Sequence, residues 1–220
     1  EFINHGSFTH CTGIINSIII PESIVIISSN AFEYCTSFTK LIFNEKKNKI
    51  KSSSTLQINS NAFEGCSELS TISFSNHIDS IGNNAFINCP NLSGSLKIPD
   101  SVTQIGKNAF KNCSKISSLS LGNQLKSIGS FSFSDCSGLS CDLIIPDSVV
   151  EINQNAFENC FNLASLKLGE KTKIIGDRAF YNCSYLSGSL NLPENISIIG
   201  DLSFGLTVFS EVVFRGVNEP

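Results

Sequence analysis

Residues 91–113 read Asn-Leu-Ser-Gly-Ser-Leu-Lys-Ile-Pro-Asp-Ser-Val-Thr-Gln-Ile-Gly-Lys-Asn-Ala-Phe-Lys-Asn-Cys, and this stretch recurs with variation along the 220-residue chain. Its most regular feature is a Phe followed three residues later by a Cys. That pair occurs at Phe8/Cys11, Phe32/Cys35, Phe63/Cys66, Phe86/Cys89, Phe110/Cys113, Phe133/Cys136, Phe157/Cys160 and Phe180/Cys183, and Phe204 continues the series with Thr207 in the Cys position. The Phe spacing is 23 or 24 residues with one exception of 31, which identifies a tandem repeat.

Other apolar positions keep the same register. An Ile stands five residues before the Phe and is usually followed by Gly, an aliphatic residue stands three positions earlier, and another follows the Phe by six. Thr55 and Thr172 are exceptions at the aliphatic position. Because one coil cannot bury its apolar side alone, we predict a stack of about nine coils whose Phe side chains form one continuous inner column.

A short alternating stretch in each unit, such as Leu96-Lys97-Ile98 or Leu119-Ser120-Leu121, predicts one strand per coil and therefore one parallel sheet. The segment from the Ile-Gly pair to the Phe is too short for a regular helix and predicts a turn or 3₁₀ structure. Gly after the Ile, and Asn near the Phe, suit unusual backbone angles there. These asparagines are Asn30, Asn61, Asn84, Asn108 and Asn155.

Composition excludes several classes of protein. Hydrophobic residues make up 41% and charged residues 15% of the chain, which argues against disorder. The net charge of −4 favours neither nucleic acid nor an anionic membrane as a partner, and no apolar run reaches the roughly 20 residues of a membrane span. The sequence contains no Met, so we expect the parent chain to extend beyond it and any targeting or anchoring signal to lie outside it.

The unit L-x-x-L-x-L-P-x-x-V-x-x-I-G-x-x-A-F-x-x-C resembles the BspA-like, or Treponema-type, leucine-rich repeat over about residues 8–214. The resemblance implies a leucine-rich-repeat solenoid of the α/β horseshoe class, β-rich with few helices, forming a right-handed curved stack with its sheet on the concave face. It also implies likeness to cell-surface proteins of bacteria and mucosal protist parasites that are associated with adhesion. The family's repeated motif carries no catalytic residues.

We predict a single leucine-rich-repeat domain over residues 1–220. The long Phe spacing indicates an insertion loop at about residues 44–54, which contains a basic cluster predicted to be solvated: Lys46, Lys47, Lys49 and Lys51. The last coil, at about residues 200–220, lacks the Cys and slips out of register near Val212 and Phe214. It is predicted to be a diverged C-terminal cap.

Nine cysteines raise the question of metal or disulfide chemistry. Eight of them occupy one repeat position, where stacking points their side chains the same way, so we predict buried, reduced, structural thiols and no metal site. Cys141 stands outside this ladder, in the place of Gly94 and Gly188, and is interpreted as a neutral substitution or as a more exposed, more reactive thiol. No histidine pair or nucleophile motif is apparent, so we predict no enzyme activity and no cofactor.

The outward positions of the predicted strands form two columns that are candidate ligand-binding residues on the concave sheet face. The first column is Thr71, Ser95, Ser118, Asp142, Ser165 and Ser189, and the second is Ser73, Lys97, Ser120, Ile144, Lys167 and Asn191. These side chains either simply solvate an exposed sheet or bind a protein or glycan ligand.

The sequence therefore predicts a non-catalytic, monomeric binding module, part of a cell-surface or secreted adhesion or host-recognition protein. Two alternatives stay open. One is a cytoplasmic protein–protein interaction scaffold, since reduced cysteines suit a reducing compartment. The other is self-association through strand edges at the ends of the stack.

Overall fold

The structure is a computed structural model that describes residues 1–45 and 55–215. These residues form eighteen short strands and no helix. In chain order the strands are β1 (Phe2–Ile3), β2 (Ser17–Ile20), β3 (Ile26–Ile27), β4 (Lys40–Phe43), β5 (Leu56–Ile58), β6 (Thr71–Ser73), β7 (Ile78–Ile81), β8 (Ser93–Lys97), β9 (Gln104–Ile105), β10 (Lys115–Ser120), β11 (Ser127–Ile128), β12 (Asp142–Ile144), β13 (Glu151–Ile152), β14 (Ser165–Lys167), β15 (Ile174–Ile175), β16 (Ser187–Leu192), β17 (Ile198–Ile199) and β18 (Val208–Phe214). Each of the nine coils contributes two strands, so the chain is a parallel β-solenoid.

The nine odd-numbered strands form one continuous parallel sheet in the order β1-β3-β5-β7-β9-β11-β13-β15-β17. They consist of the Ile of the Ile-Gly pair and the residues before it. Ile128, for example, pairs with Ile105 on one side and with Ile152 on the other. The repeated Ile is buried in the middle coils, because alternate side chains of a strand point to opposite faces. Ile199 in the last coil is 41% exposed, as no described coil covers it.

The even-numbered strands are those that the alternating stretches predict, but they do not form one sheet. They are divided into β2-β4-β6, β8-β10, β12-β14 and β16-β18. Single backbone bonds still join the pieces, such as Ser93 N–H to Ser70 O at 3.0 Å. The prediction of one strand per coil in one sheet is therefore wrong, because each coil has two strands. The continuous sheet is that of the odd-numbered strands, which the alternating stretches do not predict. The handedness of the stack and its concave face stay predictions.

The predicted column of phenylalanine rings is confirmed. Nine rings, from Phe8 to Phe204, stack face to face with centroids 4.9–5.4 Å apart and ring planes within 9° of parallel. The main chain follows the same spacing, since the N–H of Phe133 donates to the carbonyl of Ala156 in the next coil at 2.8 Å. The column and the ladder of backbone bonds beside it hold neighbouring coils together.

The predicted turn between the Ile-Gly pair and the Phe is also confirmed, although no 3₁₀ helix forms among the described residues. All five predicted asparagines have positive φ, for example 55° at Asn108. A second residue in each coil, two positions after the Phe, adopts the same left-handed conformation; asparagines hold this place at Asn88, Asn112, Asn159 and Asn182. This second set of left-handed residues is not predicted from the sequence.

Glycines after the repeated Ile have a different role from the predicted one, because none of them has a positive φ. A Cβ on Gly106 would lie 2.6 Å from the backbone nitrogen of Asn83 in the preceding coil, and one on Gly129 would lie 2.5 Å from the backbone of Gly106. Such distances are shorter than van der Waals contact. Glycine is therefore needed there for the close approach of two coils, and not for an unusual turn.

The insertion changes the register of one strand. Thr55, the exception to the aliphatic rule, is exposed, whereas Leu56 is fully buried and pairs with Ile78 through a local register shift. The apolar position is thus filled by the next residue along the chain. Residues 46–54, which include the basic cluster and most of the predicted insertion loop, lie outside the described residues.

Candidate functional site

The candidate site is the outward face of the even-numbered strands, here called the strand face. In the first predicted column, Ser95 lies opposite Ser118, and Asp142 lies opposite Ser165. The Ser165 hydroxyl donates to the Asp142 carboxylate, and the Ser189 hydroxyl donates to Glu211 at 2.9 Å. The structure therefore places Ser95 beside Ser118 and Asp142 beside Ser165. Thr71 belongs to a separate piece of sheet and pairs with Lys40.

The second predicted column has the same geometry. Lys97 lies opposite Ser120, and Ile144 lies opposite Lys167. Their side chains are exposed, and Ile144 is 60% exposed although it is aliphatic. The two remaining residues, at the ends of this column, are Ser73, which pairs with Ile42, and Asn191, which pairs with Val213.

Sequence reasoning missed further members of the strand face. Lys40 stands eight residues after Phe32, just as Thr71 stands eight residues after Phe63, so the repeat register could have identified it. Ile42, which pairs with Ser73, and Ile19, which pairs with Ile42 and is 56% exposed, extend the second column by two coils towards the N-terminus. The repeat register does not identify Glu211, because the last coil has one extra residue between the partners of Gly188 and Ser189.

A small pocket of about 170 Å³ lies near the C-terminal end of the strand face. Lys167 and Asn191 line it, together with Pro193. Arg215 and Glu170 close one side through an ion pair with an Nη1–Oε1 distance of 2.9 Å. Two predicted site residues thus belong to a concave, charged feature.

A second concave surface runs along the nine-stranded sheet as an open groove of about 590 Å³. Its lining comes from the residues before the repeated Ile, including Ser80, Gln104 and Ser127, and from the turn residues after it, including Asn59 and Asn83. These side chains are hydroxyls and amides, so the groove is polar and almost uncharged. None of these residues is predicted from the sequence as a site residue; Asn59 and Asn83 lie in the predicted turn, and Ser80, Gln104 and Ser127 precede it.

Seven of the eight repeated thiols form a buried ladder, as predicted, whereas Cys11 in the first coil is half-buried; all of them are free cysteines. Each thiol from Cys35 to Cys183 donates a hydrogen bond to the main-chain oxygen of the Phe in the preceding coil, as Cys160 does to Phe133 at 3.1 Å. Burial raises the pKa of the Cys136 and Cys183 thiols to about 12. Thiols held in the protonated form are poor nucleophiles and poor metal ligands.

Other potential chemistry is sparse in the described part of the chain. Cys141 is a free, half-buried thiol outside the ladder, more exposed than the fully buried ladder cysteines. Among residues 1–45 and 55–215, no group of three or more His, Cys, Asp or Glu side chains is placed to hold a metal ion. No helix in the described ranges is long and apolar enough to cross a membrane.

Comparison with known sequences decides the family. The pattern described as the BspA type leucine-rich repeat region matches residues 1–116, 49–140 and 103–219, in six copies. The chain belongs to the BspA-type leucine-rich repeat family. No curated protein matches this BspA-type chain.

One solved structure supports the family, and two others are more distantly similar. The leucine-rich repeat protein of T. pallidum is 30% identical to this BspA-type chain, with a TM-score of 0.67, over 77% of each chain. A leucine-rich cell surface protein of Faecalibacterium prausnitzii is 20% identical over 99% of this chain and 84% of its own, with a TM-score of 0.42. A leucine-rich repeat protein of Bacteroides ovatus is 19% identical over 96% of this chain and 78% of its own, with a TM-score of 0.33.

Proposed function

We propose that the chain is a non-catalytic binding module and that its strand face takes a protein partner. The observation that carries the proposal is the in-register pairing of exposed side chains on adjacent coils, in which Lys97 and Lys167 alternate with serines and with the exposed Ile144. Charged and aliphatic groups held on successive coils match the mixed surface of a folded protein. A glycan would use the hydroxyls but would leave the exposed aliphatic side chains without a partner.

Binding by an immobilised chain tests this proposal. The chain is exposed to extracellular matrix proteins, to cells and to a glycan array, and any ligand found is titrated against variants. We expect Ile144→Glu and Lys167→Glu to weaken binding of a protein ligand by about tenfold or more, since each places an unfavourable charge in the contact. Lys126→Glu makes the same charge change as Lys167→Glu, at an exposed position outside the strand face, and should leave the affinity unchanged.

The result could also reject the proposal. Equal affinities for all three variants would place the contact elsewhere on the solenoid. Binding that appears on the glycan array alone would favour the glycan alternative.

We further propose that the parent protein displays this module at the cell surface or is secreted, as the family resemblance implies. The ladder thiols give little support to the cytoplasmic scaffold alternative. Because they are buried, protonated and hydrogen-bonded, they resist oxidation in either compartment. Surface labelling of intact source cells, followed by immunodetection of the parent protein, tests the location. A parent protein that is labelled only after lysis would reject surface display.

A further inference from the structure

A break in an asparagine ladder distinguishes one site in the turn region. In the column two residues before the Phe, the side-chain amide of Asn84 donates to the oxygen of Asn61, and that of Asn108 donates to Asn84, both at 2.9 Å. The next coil has Phe131 at this position, the following one has Asn155, and the one after that has Arg178. Asn155 therefore has no asparagine above or below it.

The consequence is an amide without a protein partner. Asn155 is 4% exposed, yet its carboxamide makes no hydrogen bond with any described residue, whereas its main-chain N–H donates to Asp177 O at 2.9 Å. Its φ of 56° matches those of the intact ladder positions Asn84 and Asn108, so the backbone has the same left-handed conformation there. The Asn155 amide atoms are not among the fully buried side-chain atoms that lack a partner, so this largely buried residue keeps its carboxamide in contact with solvent.

The Asn155 side chain lines an open pocket of about 490 Å³. Three carboxylates line the same pocket, those of Glu158, Asp177 and Asp201, and none of them forms an ion pair within the described ranges. Arg178 is the one cation in the lining, and its guanidinium lies over the Tyr181 ring, 5.3 Å from the centroid, away from any carboxylate. The pocket thus has an excess of negative charge.

Apolar groups complete the lining. Leu202 is 55% exposed, and the ring of Phe131 already has the Lys111 ammonium 5.0 Å from its centroid, which shows that this ring accepts a cation at its face. The Lys111 charge is balanced outside the pocket by Asp135 at 3.9 Å. Carboxylates and apolar side chains thus line the same pocket as the unpartnered amide.

We propose that this pocket binds the ammonium or guanidinium group of a ligand with an aliphatic stem. The carboxylates balance the charge, the carboxamide oxygen of Asn155 accepts an N–H bond, and Phe131 and Leu202 contact the stem. An anion is disfavoured by the net charge. The group could come from a small organic amine or from a Lys or Arg side chain of a protein. The site lies in the turns and does not depend on the strand-face proposal.

Titration of the whole isotopically labelled chain with agmatine tests the small-molecule source, since agmatine has a guanidinium group, an aliphatic stem and an ammonium group. A short peptide with one Arg tests the protein source, with the citrulline peptide as its neutral control. For at least one of the two cations we expect saturable shifts of the Asn155 side-chain amide resonance. The ligand that binds more tightly identifies the source. If neither cation shifts this resonance at millimolar concentration, the proposal is overturned.

Variants separate a specific site from general attraction to an acidic surface. Asp177→Asn with Asp201→Asn removes two charges and keeps the oxygen that accepts the Asp201 N–H bond, so the fold is preserved. We expect affinity to fall by about tenfold or more, because charge-assisted hydrogen bonds are lost. Asn155→Gly, which tolerates the positive φ, should also weaken binding, whereas Glu194→Gln, at an exposed carboxylate outside the pocket lining, should not. Equal affinity for all these variants would also overturn the proposal.

Discussion

The Sγ atom of Cys136 lies 3.2 Å from the main-chain oxygen of Phe110 in the preceding coil and donates a hydrogen bond to it. The same oxygen accepts the N–H of Cys113 within its own turn at 3.2 Å. The thiol therefore occupies the second acceptor site of a buried carbonyl while filling apolar space. A side chain that is small, apolar and able to donate one weak bond suits this position, which accounts for Cys in eight successive coils.

Thiol labelling should reveal this arrangement. In the native chain at mildly alkaline pH, we expect a disulfide reagent such as DTNB to modify Cys141 and Cys11 first, because these two are half-buried and the other seven cysteines are buried. The ladder thiols should react only after addition of denaturant. The Cys141→Ser variant should lose one fast-reacting equivalent, and fast reaction of more than two thiols in the folded wild-type chain would contradict the prediction.

The ladder also makes stability depend on pH. The folded-state pKa of Cys136 and Cys183 is raised by burial from 9.0 to about 12, so the folded state holds protons that the unfolded state releases. This contribution to stability is fully present below pH 9 and is lost as the pH rises towards 12, at roughly 1.4 kcal/mol per pH unit for each thiol. Urea unfolding at a series of pH values should show the decline, and Cys136→Ala with Cys183→Ala should make it shallower. A slope unchanged by these substitutions would point to other groups.

The phenylalanine column should carry much of the stability, and more at its centre than at its end. Phe133 is fully buried between two parallel rings, whereas Phe8 is 40% exposed and has one ring neighbour, Phe32. We expect Phe133→Ala to lower the free energy of unfolding by roughly 3–5 kcal/mol, and Phe8→Ala by clearly less. Chemical denaturation of both variants measures the difference. Equal losses would mean that the column is not a continuous buried stack.

Much of this fold can be predicted from the repeat in the sequence, because equivalent positions of successive coils lie above one another. That rule predicts the Phe column, the thiol ladder and the pairing of Ser95 with Ser118. It cannot show that Gln104-Ile105 forms a strand, because two residues are too few to display an alternating pattern. Stacking alone converts such a pair into a strand, when the coils on both sides supply its hydrogen bonds.

The candidate site can be predicted only in part from the sequence, for a similar reason. The sequence identifies outward positions such as Lys97 and Ile144, but it contains no mark of where the even-numbered strands separate into pieces. The orphaned amide of Asn155 depends on two substitutions in adjacent coils, at Phe131 and Arg178, and becomes visible only when the coils are stacked. Properties that arise between coils therefore require the structure, even when each coil is predictable.

Close packing of coils at the glycine row can be tested by adding one methyl group. A Cβ on Gly106 would lie 2.6 Å from the backbone of the preceding coil, whereas one on Gly13 would have no neighbour within 4 Å. We expect Gly106→Ala to destabilise the chain by roughly 1–3 kcal/mol or more through overpacking, and Gly13→Ala to have little effect. Thermal unfolding of the two variants, which make the same chemical change, provides the comparison. If Gly106→Ala left the thermal stability unchanged, the coils would have to be more widely spaced at Gly106 than the 2.6 Å approach implies.

The outer asparagine ladder offers a way to separate a side-chain bond from backbone strain. Asn112 has a φ of 64°, and its side-chain amide donates to the oxygen of Asn88 at 2.7 Å. Asn112→Gly removes the bond but accommodates the backbone, and should cost roughly 0.5–1.5 kcal/mol. Asn112→Ala removes the bond and also forces an alanine into the left-handed region, which should cost a further 1–2 kcal/mol or so. Urea unfolding of both variants isolates the backbone contribution as their difference. If Ala proved as stable as Gly at this position, the left-handed conformation would not be what selects asparagine there.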